Sequence, residues 1–345
     1  MCINKTAGRS AILLSAFLIV ADLAAAQGRS PALLVLNRDD KSLTIVDLET
    51  EKIVGRVPTG EGPHGLALST DGKLAFVTNT ATRVGDKIIA ASISVIDVAA
   101  RRELRRVNIG PFSRPHGIVF AGGKVYFTAE GYKMIGCYNP ATDQVEWMVG
   151  NGQDRTTLLV VSKDLNRIFA GNIASDTVTL MERISPPTEW KLTVDWKVTN
   201  IPVGDGPHGI EMSPDGKEVW TANEFDGTVS IIDVATKKVT QTLNVQTKNA
   251  GRLRFTVDGK RVLILHDGGL LVLDAATRKE IKRVEIGRLP EEVLLAPDGT
   301  RAYVAISGDH NIAIVDLKTL EVTGRLYTGR NPEGLAWLEI TPSTR

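Results

Sequence analysis

Three histidines of this 345-residue chain, His64, His116 and His208, each stand between a proline and a glycine. A fourth, His266, closes a β-like run, Arg261–His266. Glutamates recur at related places: Glu333 lies within Pro332–Gly334, and Glu130 and Glu224 follow β-like runs. Imidazole and carboxylate together support two kinds of chemistry. They are the ligands that zinc and copper take, and they are the groups that carry protons near neutral pH. Neither reading holds unless something folds these distant residues onto one place.

The repeat supplies it. Gly60–Lys73 (GEGPHGLALSTDGK) returns as Gly204–Lys217 (GDGPHGIEMSPDGK) and in part as Arg330–Ala336 (RNPEGLA), with weaker copies from Pro115, Arg155, Asn249 and Pro290. Anchors at Pro63, Pro115, Arg155, Pro207, Asn249, Pro290 and Pro332 are spaced by 52, 40, 52, 42, 41 and 42 residues. A period near 40 made of short strands marks a propeller, whose small sheets are stable only when stacked on neighbours. Seven anchors predict an all-β, seven-bladed propeller with four antiparallel strands per blade.

Each unit has one grammar. An inner strand follows the Pro-x-Gly step (Gly65–Ser69 in the first unit), and an Asp-Gly turn such as Asp71-Gly72 or Asp215-Gly216 starts a hairpin. A second strand follows, as in Leu74–Asn79 or Glu218–Asn223, and a third ends in a step such as Ile96-Asp97 or Ile232-Asp233. The fourth is the most charged, which suits an outer rim. The first unit, Ala32–Asn37, Ser42–Asp47 and Lys52–Pro58, lacks an inner strand, whereas Gly334–Ile340 has no strands after it. Joining the two closes the ring and removes free sheet edges.

These residues resemble the YVTN-type repeat family of bacterial β-propellers, which includes lactonase-like members. Ala75–Asn79 (AFVTN), Val229–Val234 (VSIIDV) and the stretch from Pro207-His208-Gly209 to Asp215-Gly216 carry the resemblance, which covers essentially all of residues 27–345. It implies the fold, and it adds a lactonase-like hydrolase or lyase to the activities to weigh.

Residues 1–26 read differently. Lys5 and Arg9 precede an apolar run, Ala11–Ala21, and Ala24-Ala25-Ala26 offers a cleavage site, so a secretory signal peptide is expected, with a periplasmic or secreted propeller over 27–345. The chain carries 41 basic and 40 acidic residues, and the leader removes two basic and one acidic, so the mature chain is neutral overall. That balance gives nucleic acid and anionic membranes no electrostatic hold. No other stretch approaches a membrane span. Past the leader only Cys137 remains, so an intrachain disulfide is excluded.

Alternation of strand direction decides which loops share a face. The x of Pro-x-Gly and the ends of second strands converge on one mouth of the channel. Around the ring the x positions read Glu333, His64, His116, Thr156, His208, Ala250 and Glu291; the strand ends add Asn37, Asn79, Glu130, Asn172, Glu224, His266 and Asp267. His64, His116, His208 and Glu333 are the candidate ligands of zinc or copper. The bland alternative is a turn motif whose imidazoles bind carbonyls or water. His64, His116, His208, Glu130 and Glu224 are the candidate catalytic groups, and Asn37, Asn79, Asn172, Arg252, Arg254 and His266 the candidate ligand contacts. Aligned on Gly251, Arg252 and Arg254 fall where Leu66 and Leu68 stand, at packed positions. Cations there need carboxylates or a wet cavity. They either grip an anion, such as a carboxylate, a phosphate or a sugar acid, or form ion pairs between blades.

Three functions follow from this reading: a small-ligand binder at the His/Glu mouth, with or without a metal; a lactonase-like hydrolase or lyase using a histidine and a carboxylate; and a scaffold for an exported redox or surface complex. The last would use the long loops Thr80–Ala91 and Arg183–Asn200, with Trp190 and Trp196. Nucleophilic catalysis lacks a motif, and Cys137 is expected in a third strand away from the mouth.

Overall fold

The computed structural model describes residues 30–80, 83–84, 87–88, 91–111, 113–184 and 196–340. The expected leader, most of the Thr80–Ala91 loop and the tip of Arg183–Asn200, with Trp190, lie outside the described residues.

Short runs rich in β-branched and aromatic residues form seven four-stranded antiparallel sheets. Blade one runs from its inner to its outer strand as Pro63–Leu68, Leu74–Asn79, Ser92–Asp97 and Arg102–Asn108. Blades two to six repeat the order, with inner strands Pro115–Ala121, Thr156–Val161, Pro207–Met212, Leu253–Phe255 and Pro290–Leu295. The expected inner strand began at the glycine; it begins two residues earlier, so the proline and x belong to the strand itself. In blade seven the C-terminal strand Pro332–Ile340 is the innermost and pairs antiparallel with Ser30–Asn37, Leu34 opposite Ala336. The chain is a seven-bladed β-propeller.

Each sheet buries both faces against its neighbours. Seven apolar clusters lie one at each seam between successive blades; Phe76, Ile93, Phe127 and Tyr138 fill the seam between blades one and two, for example. Trp196 belongs to the next seam, 8% exposed and 5.4 Å from the ring of Trp147. It serves packing, which corrects its expected role at a partner surface. Outer strands keep a polar edge, as the alternating burial of Arg102–Asn108 records. Glycine 72 of the Asp-Gly turn has φ +70°, which only glycine adopts without strain. Cys137 is buried in a third strand, where burial pushes its thiol up to about 12.

Close approach at the axis explains the glycine of Pro-x-Gly. A Cβ on Gly209 would lie 2.2 Å from the carbonyl oxygen of Gly251 in the next blade, and one on Gly117 would lie 2.4 Å from that of Thr157. Inner strands therefore touch backbone to backbone at this level. Threonines of the second strands fasten them: Thr78 accepts the N–H of Gly65 and donates to the carbonyl of His116, 2.9 Å away.

Candidate functional site

Strand pairing fixes which residues share a level of the channel. Thr156 pairs with Asn172 as Pro207 pairs with Asn223, and Leu253 pairs with Ile264 as Ile210 pairs with Thr221. The x level is thus Glu333, His64, His116, Thr157, His208, Gly251 and Glu291. Thr157 and Gly251 replace the expected Thr156 and Ala250, because Thr156 and Ala250, not Arg155 and Asn249, take the proline position in blades three and five. A one-residue slip also changes the face on which a side chain stands. Arg252 therefore occupies the glycine level of Gly65 and Gly209, not the position of Leu66, and Arg254 corresponds to Glu211, not to a seam leucine. Blade six fills the same level with Glu292.

The x level brings three histidines together. The His64 and His116 rings lie 3.8 Å apart between centroids at an interplanar angle of 43°, and His116 and His208 lie 5.9 Å apart, edge to face. Glu333 joins them with its Oε2 3.5 Å from His64 Nε2, while Arg38 Nη1 donates to Oε1 at 2.8 Å. Glu333 is 5% exposed. Burial pushes its carboxyl up to about 7, against the pull of Arg38. Burial pushes both His64 and His116 well below the ordinary imidazole value, and the nearby charges of Arg252 and Arg38 push the same way. Both rings are neutral at pH 7. His64 Nδ1, His116 Nδ1, His208 Nε2 and Glu333 Oε2 are buried without a hydrogen-bond partner.

Around this core stand charged pairs. Glu224 Oε2 lies 3.3 Å from His208 Nδ1, and that hydrogen bond holds the Glu224 carboxyl below the usual range. Glu130 is shared by Arg114 and Arg155 at 3.8 and 3.7 Å. One level deeper, Arg252 lies 3.4 Å from Glu292 and donates to the Glu291 carbonyl, while Arg254 pairs with Glu211 and lies 3.7 Å from Glu292. Both arginines are thus in inter-blade ion pairs and face the channel at once, so the two expectations for them are not exclusive.

Four expected ligand contacts lie elsewhere. Asn37, Asn79 and Asn172 are buried inside their own blades with their amides engaged: Asn79, for example, accepts from Gly60 N–H and donates to Ser92 and Ser94. They brace the strand ends and do not face the mouth. His266 takes the equivalent place in blade five, with its Nδ1 3.0 Å from the Asp267 carbonyl and its ring over Gly269. Arg38 and Glu292 are further members of the site, beyond the residues expected from the sequence. Arg38 follows the strand end Asn37 in the blade that supplies Glu333, and Glu292 replaces a glycine that most blades keep.

A single zinc ion needs nitrogens converging at about 2.0–2.1 Å. His64 and His116 instead pack ring against ring, and among the described residues no three His, Cys, Asp or Glu side chains are grouped to hold a metal ion.

Two family descriptions match parts of the chain: a YNCE-like beta-propeller over residues 5–124 and a cytochrome D1 heme domain over residues 166–291. A seven-bladed beta-propeller protein of Mycobacterium tuberculosis is 22% identical over 76% of this chain and 62% of its own length. Hydrazine synthase subunit beta of Kuenenia stuttgartiensis is 31% identical over 35% of this chain and 39% of its own. This chain thus spans less than two thirds of either relative. Among solved structures, the periplasmic gluconolactonase of Pseudomonas aeruginosa superposes with a TM-score of 0.75 at 18% identity, covering 90% of this chain and 99% of that one. Such a likeness shows the fold alone. No helix among the described residues is long and apolar enough to cross a membrane.

Proposed function

We propose that the His/Glu mouth binds a small carbonyl compound of the lactone class and hydrolyses it, in an exported propeller. The observation that carries this reading is the set of unpartnered buried polar atoms, His64 Nδ1, His116 Nδ1, His208 Nε2 and Glu333 Oε2, on one level of the channel. Buried polar atoms are almost always satisfied, so four orphans together ask for water or ligand.

The chemistry follows from the protonation states. With Glu333 ionised and its Oε2 3.5 Å from His64 Nε2, the carboxylate favours the tautomer with the proton on Nε2 and a free lone pair on Nδ1. That nitrogen takes a proton from a water as its oxygen attacks the lactone carbonyl; the carboxylate steadies the resulting imidazolium. Collapse of the tetrahedral adduct breaks the ring C–O bond, and His64 returns the proton to the departing ring oxygen. The product is a hydroxy acid, whose carboxylate meets the positive field of Arg38 and Arg252. A carboxyl pushed up to about 7 suits this duty, since it changes charge near neutral pH.

The basic, apolar and Ala-x-Ala segments of residues 1–26 support export, as does likeness to a protein named as periplasmic. The match to a heme domain raises a tetrapyrrole as a ligand. The throat does not suit one: His64 and His116 are in ring contact, and Arg38 and Arg252, cations able to take its carboxylates, already face Glu333 and Glu292.

Ring opening releases one proton per turnover. A pH-indicator assay over aldonolactones and simple γ- and δ-lactones should show saturable hydrolysis, reduced at least about a hundredfold by His64→Gln, the scale of losing a general base. An inert wild-type protein across the panel refutes the enzymatic reading.

A further inference from the structure

The opposite end of the channel holds a second space. A cavity of about 720 Å³ opens among the Asp-Gly-type turns of blades three, four and five, at residues 162–164 and 213–216, and runs up the channel to the glycine level of Gly65 and Gly117. Its volume lies in the range that holds small ligands. Apolar side chains, among them Val119, Val161, Met212 and Leu295, are left half-buried on the innermost strands, and Lys163, Asp164, Arg167 and Asp215 stand at the turns around the opening. At its inner end lie Glu211, Arg252, Arg254 and Glu292, with Arg252 already close to Glu292.

Arg254 is the unusual member. It stands in the middle of an inner strand, yet its side chain is 39% exposed, and it lines this cavity. Its guanidinium carries more donors than its contacts with Glu211, Glu292 and the Val293 carbonyl use. Burial pushes the Glu211 carboxyl up, against the pull of Arg254.

We propose that this cavity is a second binding site, for an amphipathic carboxylate whose chain lies on the apolar walls and whose head reaches Arg254. Its apolar walls and Arg254 stand on the lower inner strands, while its upper end reaches Arg252, one level below the histidines. The shared chemistry is an apolar body of six to ten carbons, to order of magnitude, with an anionic head that pairs bidentately with a guanidinium.

Octanoate is the probe and octanol its uncharged control, measured by calorimetry on the full chain. Removing Arg254 alone would strand Glu211, so the variant is Glu211→Gln with Arg254→Gln, which leaves Arg252 paired to Glu292. Wild type should bind octanoate saturably. The double variant should bind it about tenfold or more weakly, the value of a charge-assisted pair, with octanol unchanged. Val161→Trp should abolish both by filling the cavity, and His64→Gln should alter neither. The proposal is overturned by a wild type that binds no octanoate, by equal octanoate affinity in the double variant, or by binding that responds to His64→Gln rather than Val161→Trp.

Discussion

Glu333→Gln removes the ionisable group on which the mouth depends while keeping its shape. The folded protein holds this carboxyl at about 7, against 4.5 for the free side chain. The folded state therefore binds the proton more tightly than the unfolded chain. Its contribution is fully present below pH 4.5 and is lost as pH rises to about 7, where the folded group also ionises. The gap corresponds to about 3 kcal/mol. For a propeller of this size that is about 4–5 °C in melting temperature. His64 and His116 work in the opposite direction: held neutral by burial, they withdraw stability as pH falls below 6.5. Their effect is present in both proteins, so the difference between wild type and variant isolates Glu333. Calorimetric melts every half pH step from 4.5 to 8.5 should show Glu333→Gln gaining on wild type by up to that amount as pH rises. A difference that stays constant across the range shows an ordinary carboxylate and refutes the reasoning.

Three further outcomes follow from the architecture. Deleting residues 332–345 takes away the inner strand of blade seven, with Leu335 and Ala336 from two seams, so the sharp thermal transition should broaden and fall; an unchanged melt contradicts the closure. Dialysis against a chelator should leave the melting temperature unchanged, with zinc and copper well below one per chain by elemental analysis, because His64 and His116 meet ring to ring. Gly209→Ala should cost about 2 kcal/mol or more in denaturant unfolding, since its Cβ would press on the Gly251 carbonyl of the next blade.

The fold was legible because each blade repeats the same local choices. Asp71-Gly72, Pro63-His64-Gly65 and Leu74–Asn79 agree in turn, close approach and alternation, and the ring follows from counting copies. The x level was legible where proline marks it, hence His64, His116, His208 and Glu333. It failed in blades three and five, where Thr156 and Ala250 take the proline position and no local signal sets register; only the pairing of Leu253 with Ile264 does. Asn37, Asn79 and Asn172 misled for a related reason. The end of a second strand lies near the mouth, but its side chain turns into the blade to hold the following turn. Glu292 and Arg252 are a matched pair one blade apart, and that match becomes visible only when both stand at the glycine level.

The measurement that bears most directly on the mouth is the pH dependence of lactone hydrolysis at low substrate. With Glu333 as the group that prepares His64, kcat/KM should rise tenfold per pH step below about 7 and level off above it, after subtraction of the solution reaction. In Glu333→Gln that limb should vanish along with most of the rate. A wild-type profile without an inflection near 7, or a variant that retains both rate and profile, would contradict the assignment of Glu333 and His64 as the working pair.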